Sequence, residues 1–248
     1  MVRYLSALLL VCVLFLTSCE DKEKSKIISS ETAPDSSSIT IDSAAISNNE
    51  IRKEKEKADP WINIEGPLIV QEELIPFLTE YGAENKETRI KIITRFGEIE
   101  VLLHNNTPLH RANFIYMAKL GYFDGTFFHR VAKGFVIQGG NSDNRDTSRK
   151  RNKIGSYLIP SEFEAGHRHT RGAFAAAKYA EQNVSKASSP FEFYIVQSPG
   201  GAHHLDNDHT VFGRVVKGMD VVDAIAEEEV GEGEWPHLNI HIRMEVIE

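Results

Sequence analysis

The sequence predicts a mainly β domain, an antiparallel β-barrel with two helices plugging its ends, preceded by a helical extension. Two observations carry this. Short segments of alternating apolar and polar residues recur from Arg89 to Val246, the period-2 mark of half-buried strands. Only two segments within that span read as helices, one after Thr107 and one from Met219 to Ala226. No internal repeat is visible.

Composition bounds the rest. With 248 residues, 41% hydrophobic and 26% charged, the chain is ordinary for a globular protein of one or two domains. A net charge of -8 leaves no basic excess to neutralise phosphates, so nucleic acid is not an expected partner. Both cysteines, Cys12 and Cys19, fall in the first twenty residues. No disulfide or thiolate metal site is therefore expected in the remainder.

The N-terminus reads as a targeting segment over residues 1–18. Arg3 is followed by an almost unbroken apolar run from Leu5 to Leu16, too short for a comfortable membrane span but suited to a signal-peptide core. Leu16-Thr17-Ser18-Cys19 resembles the lipobox of bacterial lipoproteins, and that resemblance implies lipidation of Cys19. The expectation is a lipid-anchored protein of the bacterial cell envelope, held to the membrane at Cys19. Residues 19–59 are polar and charged, without apolar period, and read as a flexible tether. A coil of about 40 residues spans roughly 35 Å.

Residues 60–87 differ. Leu74, Phe77, Leu78 and Tyr81 recur at helical spacing and Gly82 suits a C-cap, which predicts a helical extension packed on the barrel. The barrel domain, residues 88–248, opens with a hairpin of Arg89-to-Ile92 and Glu98-to-Leu103 around Phe96-Gly97. Thr107-Pro108 reads as an N-cap and first helical residue, with Leu109, Ala112, Tyr116 and Leu120 as the apolar stripe and Gly121 as the stop. Asp124-Gly125 turns the chain into two runs rich in Phe, Val and Ile flanking Lys133-Gly134. Gly139 to Lys153 read as a polar, basic, solvated loop. Its Asn141, Asp143 and Asp146 lack a terminal glutamate, so no metal is expected there. His167 and His169 have no convergent carboxylate at obvious spacing and are not expected to bind one. Gly172 to Ala177 form a small-residue strand, Ser188 to Val196 bring an aromatic-rich one, and Leu238 to Val246 a final alternating strand.

Within the central runs, Arg130 and Gln138 stand among apolar neighbours. They point either to solvent from an edge strand or onto the wall of an apolar pocket. Phe128-His129-Arg130-Val131-Ala132-Lys133-Gly134-Phe135-Val136-Ile137-Gln138-Gly139-Gly140 resembles the signature of the cyclophilins, one class of peptidyl-prolyl isomerases. The likeness runs from about Thr88 to the C-terminus. It implies a cyclophilin-like closed antiparallel β-barrel capped by two helices, and catalysis of X-Pro bond rotation without cofactor or metal.

By this resemblance Arg130 is the catalytic hydrogen-bond donor, and Gln138 orients it or contacts the substrate backbone. Phe135, Val136, Tyr194, Leu205 and His209 wall the proline pocket, with Phe128 and Phe212 supporting it. Ala177 lies on the strand that offers the substrate main-chain hydrogen bonds. Val136 stands where methionine is frequent, His204 where the best-known members carry tryptophan, and Pro190-Phe191-Glu192 where many carry Gly-Ser-Gln. Glu192 is accordingly expected as a charged rim residue favouring basic peptides, the alternative being that it pairs internally, for instance with Lys178 or Lys186, and is silent toward substrate. His129 and His209 are assigned no proton transfer. The implied partners are proline-containing polypeptides, met by a monomer. The alternative is a proline-peptide-binding chaperone module with little turnover.

Overall fold

The computed structural model describes residues 64–179 and 185–247. The expected signal segment, Cys19 and the tether lie outside the described residues.

Nine strands form one antiparallel sheet in the order β8-β3-β4-β6-β5-β7-β2-β1-β9. Their ranges are β1 Arg89–Thr94, β2 Gly97–Leu103, β3 Phe127–Ala132, β4 Val136–Asn141, β5 Ala173–Ala176, β6 Phe193–Val196, β7 Val211–Lys217, β8 Ile240–His241 and β9 Arg243–Val246. The last two are halves of the predicted final strand, interrupted at Ile242, whose N–H donates to the Thr126 carbonyl. Because β8 pairs with β3 and β9 with β1, this single segment joins the two ends of the sheet and nearly closes the barrel.

Four α-helices lie among the described residues: α1 Leu74–Glu84, α2 Pro108–Lys119, α3 Arg145–Ile154 and α4 Met219–Ala226. The two helices expected at the barrel ends are α2 and α4. Pro76 falls in the first turn of α1, where its missing N–H has no intrahelical acceptor to lose. The Phe77 and Tyr81 rings meet Tyr116 of α2 edge-on, at 5.2 and 5.1 Å. Arg111 closes the contact by donating to the carbonyls of Gly82 at 2.9 Å and Asn85 at 2.8 Å. Those carbonyls end α1 and would otherwise lack a partner.

This docking changes the expected role of the α2 stripe. Ala112 and Tyr116 face α1, whereas His110, Asn113 and Phe114 face the barrel interior. With a partner on each side, α2 is buried almost all round from His110 to Ala118. Its N-terminus is also held differently from expectation. Thr107 makes no side-chain cap; the Glu162 carboxylate, distant in sequence, accepts from the N–H groups of Leu109 and His110 at 3.1 and 3.0 Å.

The expected loop Gly139–Lys153 is corrected to the end of β4 followed by α3. Asn144 caps α3 by accepting from the Asp146 N–H, and Asp146 and Arg151/Lys153 complement the two ends of its dipole. Thr147 and Ile154, seven apart, are its buried positions. Gly155, which follows, has φ +127°, and a Cβ there would meet the Ile69 carbonyl oxygen at 2.1 Å. The extension can therefore pass directly over it, with Ile69 N–H donating to the Ile154 carbonyl.

Alternation divides the barrel side chains into two sets. Phe128, Ile137, Phe174, Phe193 and Phe212 point inward and pack with Phe114 and Phe123 in the main core. Ala132, Val136, Ala173, Ala175, Tyr194, Val196 and Val211 form a second cluster on the opposite face, against Phe135 and Leu205. The second face carries the site.

Candidate active site

The strand register sets one row of residues across the outer face. Arg130 pairs with Gln138, Gln138 with Tyr194, Tyr194 with Ala175, and Ala175 with Val211. Neighbouring strands lie about 4.8 Å apart, so the arginine and the tyrosine are about two strand spacings apart along this row. Alanines at 173, 175 and 177 leave the floor low beside them. The result is a cavity of about 140 Å³ lined by Arg130, Phe135, Val136, Gln138, Ala177, Lys178, Tyr194, Leu205 and His209. Pockets that take drug-sized ligands measure roughly 300–1,000 Å³, so this smaller space suits a single side chain.

Each wall is fixed by its local structure. Gly134, at φ +77°, turns the chain between β3 and β4, and its N–H donates to the Gln197 side chain. The Phe135 carbonyl then accepts from the N–H groups of Gln197 and Ser198, which holds its ring over the cavity. Leu205 ends a 3-10 turn, His203–Leu205, and its carbonyl accepts from the His209 N–H. Asp206, next in sequence, ties that turn down: its carboxylate accepts from the His169 N–H and from Arg168 and His203. Burial works to raise the pKa of this carboxyl, but these bonds outweigh it and hold the group well below the usual carboxylate range.

Behind the cavity runs a buried chain, Asp206 Oδ1 to His169 Nδ1 at 2.9 Å and His169 Nε2 to the Tyr194 hydroxyl at 2.8 Å. The carboxylate sets the tautomer with a proton on Nδ1, so Nε2 accepts from the tyrosine. This locks the plane of the Tyr194 ring. His169 is thus a structural support, a role that the sequence pair His167/His169 did not reveal. His167 instead stacks on His104 at 3.8 Å.

Arg130 and His209 supply the polar edge. The Arg130 guanidinium lies 5.9 Å from the centre of the Phe135 ring, and its Nε donates to Glu234 Oε2 at 2.7 Å. His209 has its pKa lowered to about 4, by burial first and then by the Lys178 charge, so the imidazole is neutral near pH 7. Lys178, weighed from the sequence only as a partner for Glu192, lies in the cavity wall with Nζ 2.6 Å from Asp208.

Three expectations are corrected here. Glu192 is no rim charge: it is turned inward, with Oε1 3.1 Å from Arg151 and Oε2 accepting from Gln138 at 3.0 Å, and His129 Nε2 lies 3.6 Å away. Burial alone would raise its pKa; His129 and Arg151 bring it below the ordinary value. Gln138 thus donates an amide N–H to Glu192, and Glu234 is the side chain bonded to Arg130. Ala177 lines the cavity, but its N–H donates to the Glu192 carbonyl and its own carbonyl accepts from Ser189, so that N–H is not available to a substrate. His204 is exposed and stacks on the outer side of Phe135 at 5.3 Å, supporting that ring rather than lining the cavity. Phe135, Val136, Tyr194, Leu205 and His209 line this one cavity together, and Phe128 and Phe212 belong to the core beneath.

A side-chain-sized cavity on an antiparallel barrel, with apolar walls and a guanidinium at its edge, suits an apolar side chain held beside a hydrogen-bond donor. Comparison with known proteins makes this specific. Residues 89–246 match the family model described as cyclophilin type peptidyl-prolyl cis-trans isomerase/CLD. The chain belongs to this family. It is 36% identical over 141 residues to a peptidyl-prolyl cis-trans isomerase of Acinetobacter baylyi, covering 56% of this chain and 72% of that one. It is 31% identical over 168 residues to peptidyl-prolyl cis-trans isomerase A of Dickeya dadantii, covering 67% and 85%. A longer relative, peptidyl-prolyl cis-trans isomerase-like 2 of Rhizopus delemar, is 35% identical over 165 residues, and the match spans 29% of its length and 66% of this chain. Among solved structures, a cyclophilin type isomerase of Cryptosporidium parvum superposes with a TM-score of 0.55 at 21% identity, covering 65% of this chain and 98% of the other.

Proposed function

We propose that this chain accelerates rotation about X-Pro bonds in polypeptides outside the cytoplasm, acting as a monomer tethered to the envelope by a lipid on Cys19. The observation that carries the catalytic reading is the placement of Arg130 beside an apolar cavity sized for one side chain. The barrier to rotation is about 18–20 kcal/mol and arises from amide resonance. In the twisted amide that resonance is lost and the proline nitrogen regains its lone pair. A guanidinium N–H directed at that nitrogen stabilises the twisted state more than either planar state, which is differential binding. The apolar wall of Phe135, Val136, Tyr194 and Leu205 grips the proline ring while the flanking chain turns. No bond breaks, and a neutral His209 serves as wall and not as acid or base. A neighbouring Cryptosporidium parvum structure, determined in the presence of the dipeptide Ala-Pro, supports the substrate class.

A protease-coupled or folding-coupled isomerisation assay tests this. Arg130→Ala should fold, because the side chain faces the cavity, and should lose on the order of 10²–10³ in kcat/KM. Wild-type turnover in the folded variant would sink the mechanism. A second reading, a proline-peptide-binding chaperone with little turnover, is favoured by the amide N–H that Gln138 gives to Glu192. Peptide binding without turnover in the same assay would select it.

The envelope reading is supported by Arg3, the apolar run Leu5–Leu16 and the Leu-Thr-Ser-Cys sequence ending at Cys19. Residues 19–59 then serve as the tether, 60–87 as the extension and 88–248 as the catalytic domain. Mass spectrometry of the membrane fraction tests it, with Cys19→Ala expected to abolish the lipid. A wild-type protein without lipid would refute the anchor. Sedimentation of the soluble domain tests the monomer.

A further inference from the structure

The Arg130 partner is delivered by a loop that the family resemblance did not point to. Between α4 and β8 the chain closes on itself: Gly231 N–H donates to the Trp235 carbonyl at 2.8 Å, His237 N–H to that of Glu229 at 3.0 Å, and Val230 bridges Pro236. Trp235 seats this loop on β3, its ring edge-on to Phe127 at 6.5 Å and tilted against His129 at 5.8 Å. Its indole N–H donates to Asn239 at 3.0 Å. Glu234, one residue before, has φ +61°, in the left-handed region that a residue with a Cβ enters at a cost. Nothing in packing demands a glutamate here, since its side chain is 45% exposed. Its N–H closes the turn on the Gly231 carbonyl at 3.2 Å, and the contact its side chain makes is the bond from Arg130 Nε at 2.7 Å.

We propose that Glu234 is a positioning residue for Arg130 in the isomerisation reaction, an inference that rests on the catalytic reading of Arg130 above. The Arg130 side chain is 36% exposed and, left alone, would sample many rotamers. A carboxylate on Nε fixes the guanidinium plane and leaves the terminal N–H groups free to face the cavity. Gln138, which the resemblance assigned either to this task or to the substrate backbone, donates to Glu192, and the acceptor for Arg130 Nε is Glu234.

The test compares wild type with Glu234→Ala, Glu234→Gln, Glu234→Gly, Arg130→Ala and the Arg130→Ala/Glu234→Ala double variant, by isomerisation kinetics and thermal unfolding. For a partly exposed pair, Glu234→Ala should lower kcat/KM roughly two- to fivefold, with the loss in kcat. Glu234→Gly suits the left-handed backbone, so it should lose the same activity without any loss of thermal stability. Glu234→Gln keeps an acceptor for Nε and should recover most of the activity. In the Arg130→Ala background, removing Glu234 should change nothing further. Full activity in both Glu234→Ala and Glu234→Gly, with Arg130→Ala inactive, would overturn this inference alone. So would an added loss in the double variant. An active Arg130→Ala protein would overturn the catalytic reading itself.

Discussion

Glu192 and Arg151 form an ion pair at 3.1 Å, with side chains only 12% and 22% exposed, joining the segment before β6 to helix α3. The same arginine donates to the Tyr122 hydroxyl at 2.9 Å and the Gly140 carbonyl at 3.2 Å, and lies 5.0 Å from the Phe191 ring centre. The pair is a clasp behind the site. Gly140 itself is at φ +96°, and a Cβ there would meet the Phe191 carbonyl oxygen at 2.2 Å, so only glycine lets the two segments approach.

Arg151→Ala should therefore act on stability. It leaves a largely buried carboxylate with weaker compensation, at roughly 2–4 kcal/mol, near the lower end of what breaking a buried pair costs. Because Glu192 also receives Gln138, kcat/KM should fall modestly, while the charge of substrate residues should matter no more than in wild type. Urea unfolding of wild type and variant measures the first effect. A variant as stable as wild type would show that the clasp carries no net energy.

The buried chain behind the cavity yields a contrasting prediction. Tyr194→Phe keeps the aromatic wall but deprives His169 Nε2 of its partner at 2.8 Å. An unsatisfied buried acceptor costs about 1–3 kcal/mol. Stability should fall by that amount, with kcat/KM within about twofold of wild type, since the hydroxyl is turned to His169 and the ring area at the cavity is kept. A large activity loss at unchanged stability would instead mean that the hydroxyl contacts the substrate.

What the sequence made legible follows a simple physical division. Arg130, Phe135, Val136 and Gln138 lie within nine residues, on two strands joined by a turn, so a contiguous run displays them together. The α4 helix and the final strand were readable because their periodicity survives burial on one face. Contacts made between distant segments were not. Glu162 capping α2, Glu192 turning toward Arg151 and Glu234 reaching Arg130 each depend on how loops fold back, which no local spacing records. The α3 helix is a different case. Asn144 followed by Thr147 and Ile154 gave a cap and two buried positions, but its many basic residues masked that faint pattern.

Acid should weaken the fold in a defined window. His209 and His104 both have pKa values lowered to about 4, burial being the first cause in each. In the unfolded chain they titrate near 6.5. Above that value both states are neutral and the histidines do not affect stability. As pH falls from about 6.5 to about 4, the unfolded state takes up protons that the folded state refuses, and stability declines. For His209, with a side chain 17% exposed, the full difference, reached only below about pH 4, is about 3 kcal/mol. Urea midpoints measured from pH 7.5 to 4.5 should drop, and His209→Gln should drop less. A flat profile would contradict neutral burial of these rings.

Substrate charge gives the last prediction, and it reverses the expectation attached to Glu192. With that carboxylate turned inward, the charged side chains at the cavity are Arg130 and Lys178. Lys178 is 14% exposed and its Nζ lies 2.6 Å from Asp208, which also lies 3.5 Å from Lys186. Asp208 is held below the ordinary carboxylate value, first by its bond from Lys178. It therefore stays ionised near neutral pH and offsets the lysine charge. Peptides carrying Lys, Ala or Glu beside the proline should then be isomerised within about twofold of one another, as screened rim charges allow. Asp208→Asn removes the offset. Acidic peptides should gain a few-fold over basic ones in that variant, and added salt should shrink the difference because the Debye length falls from about 10 Å at 0.1 M to about 3 Å at 1 M. A strong preference for basic peptides in the wild type, lost in Glu192→Gln, would restore Glu192 to the rim and refute this placement of charge.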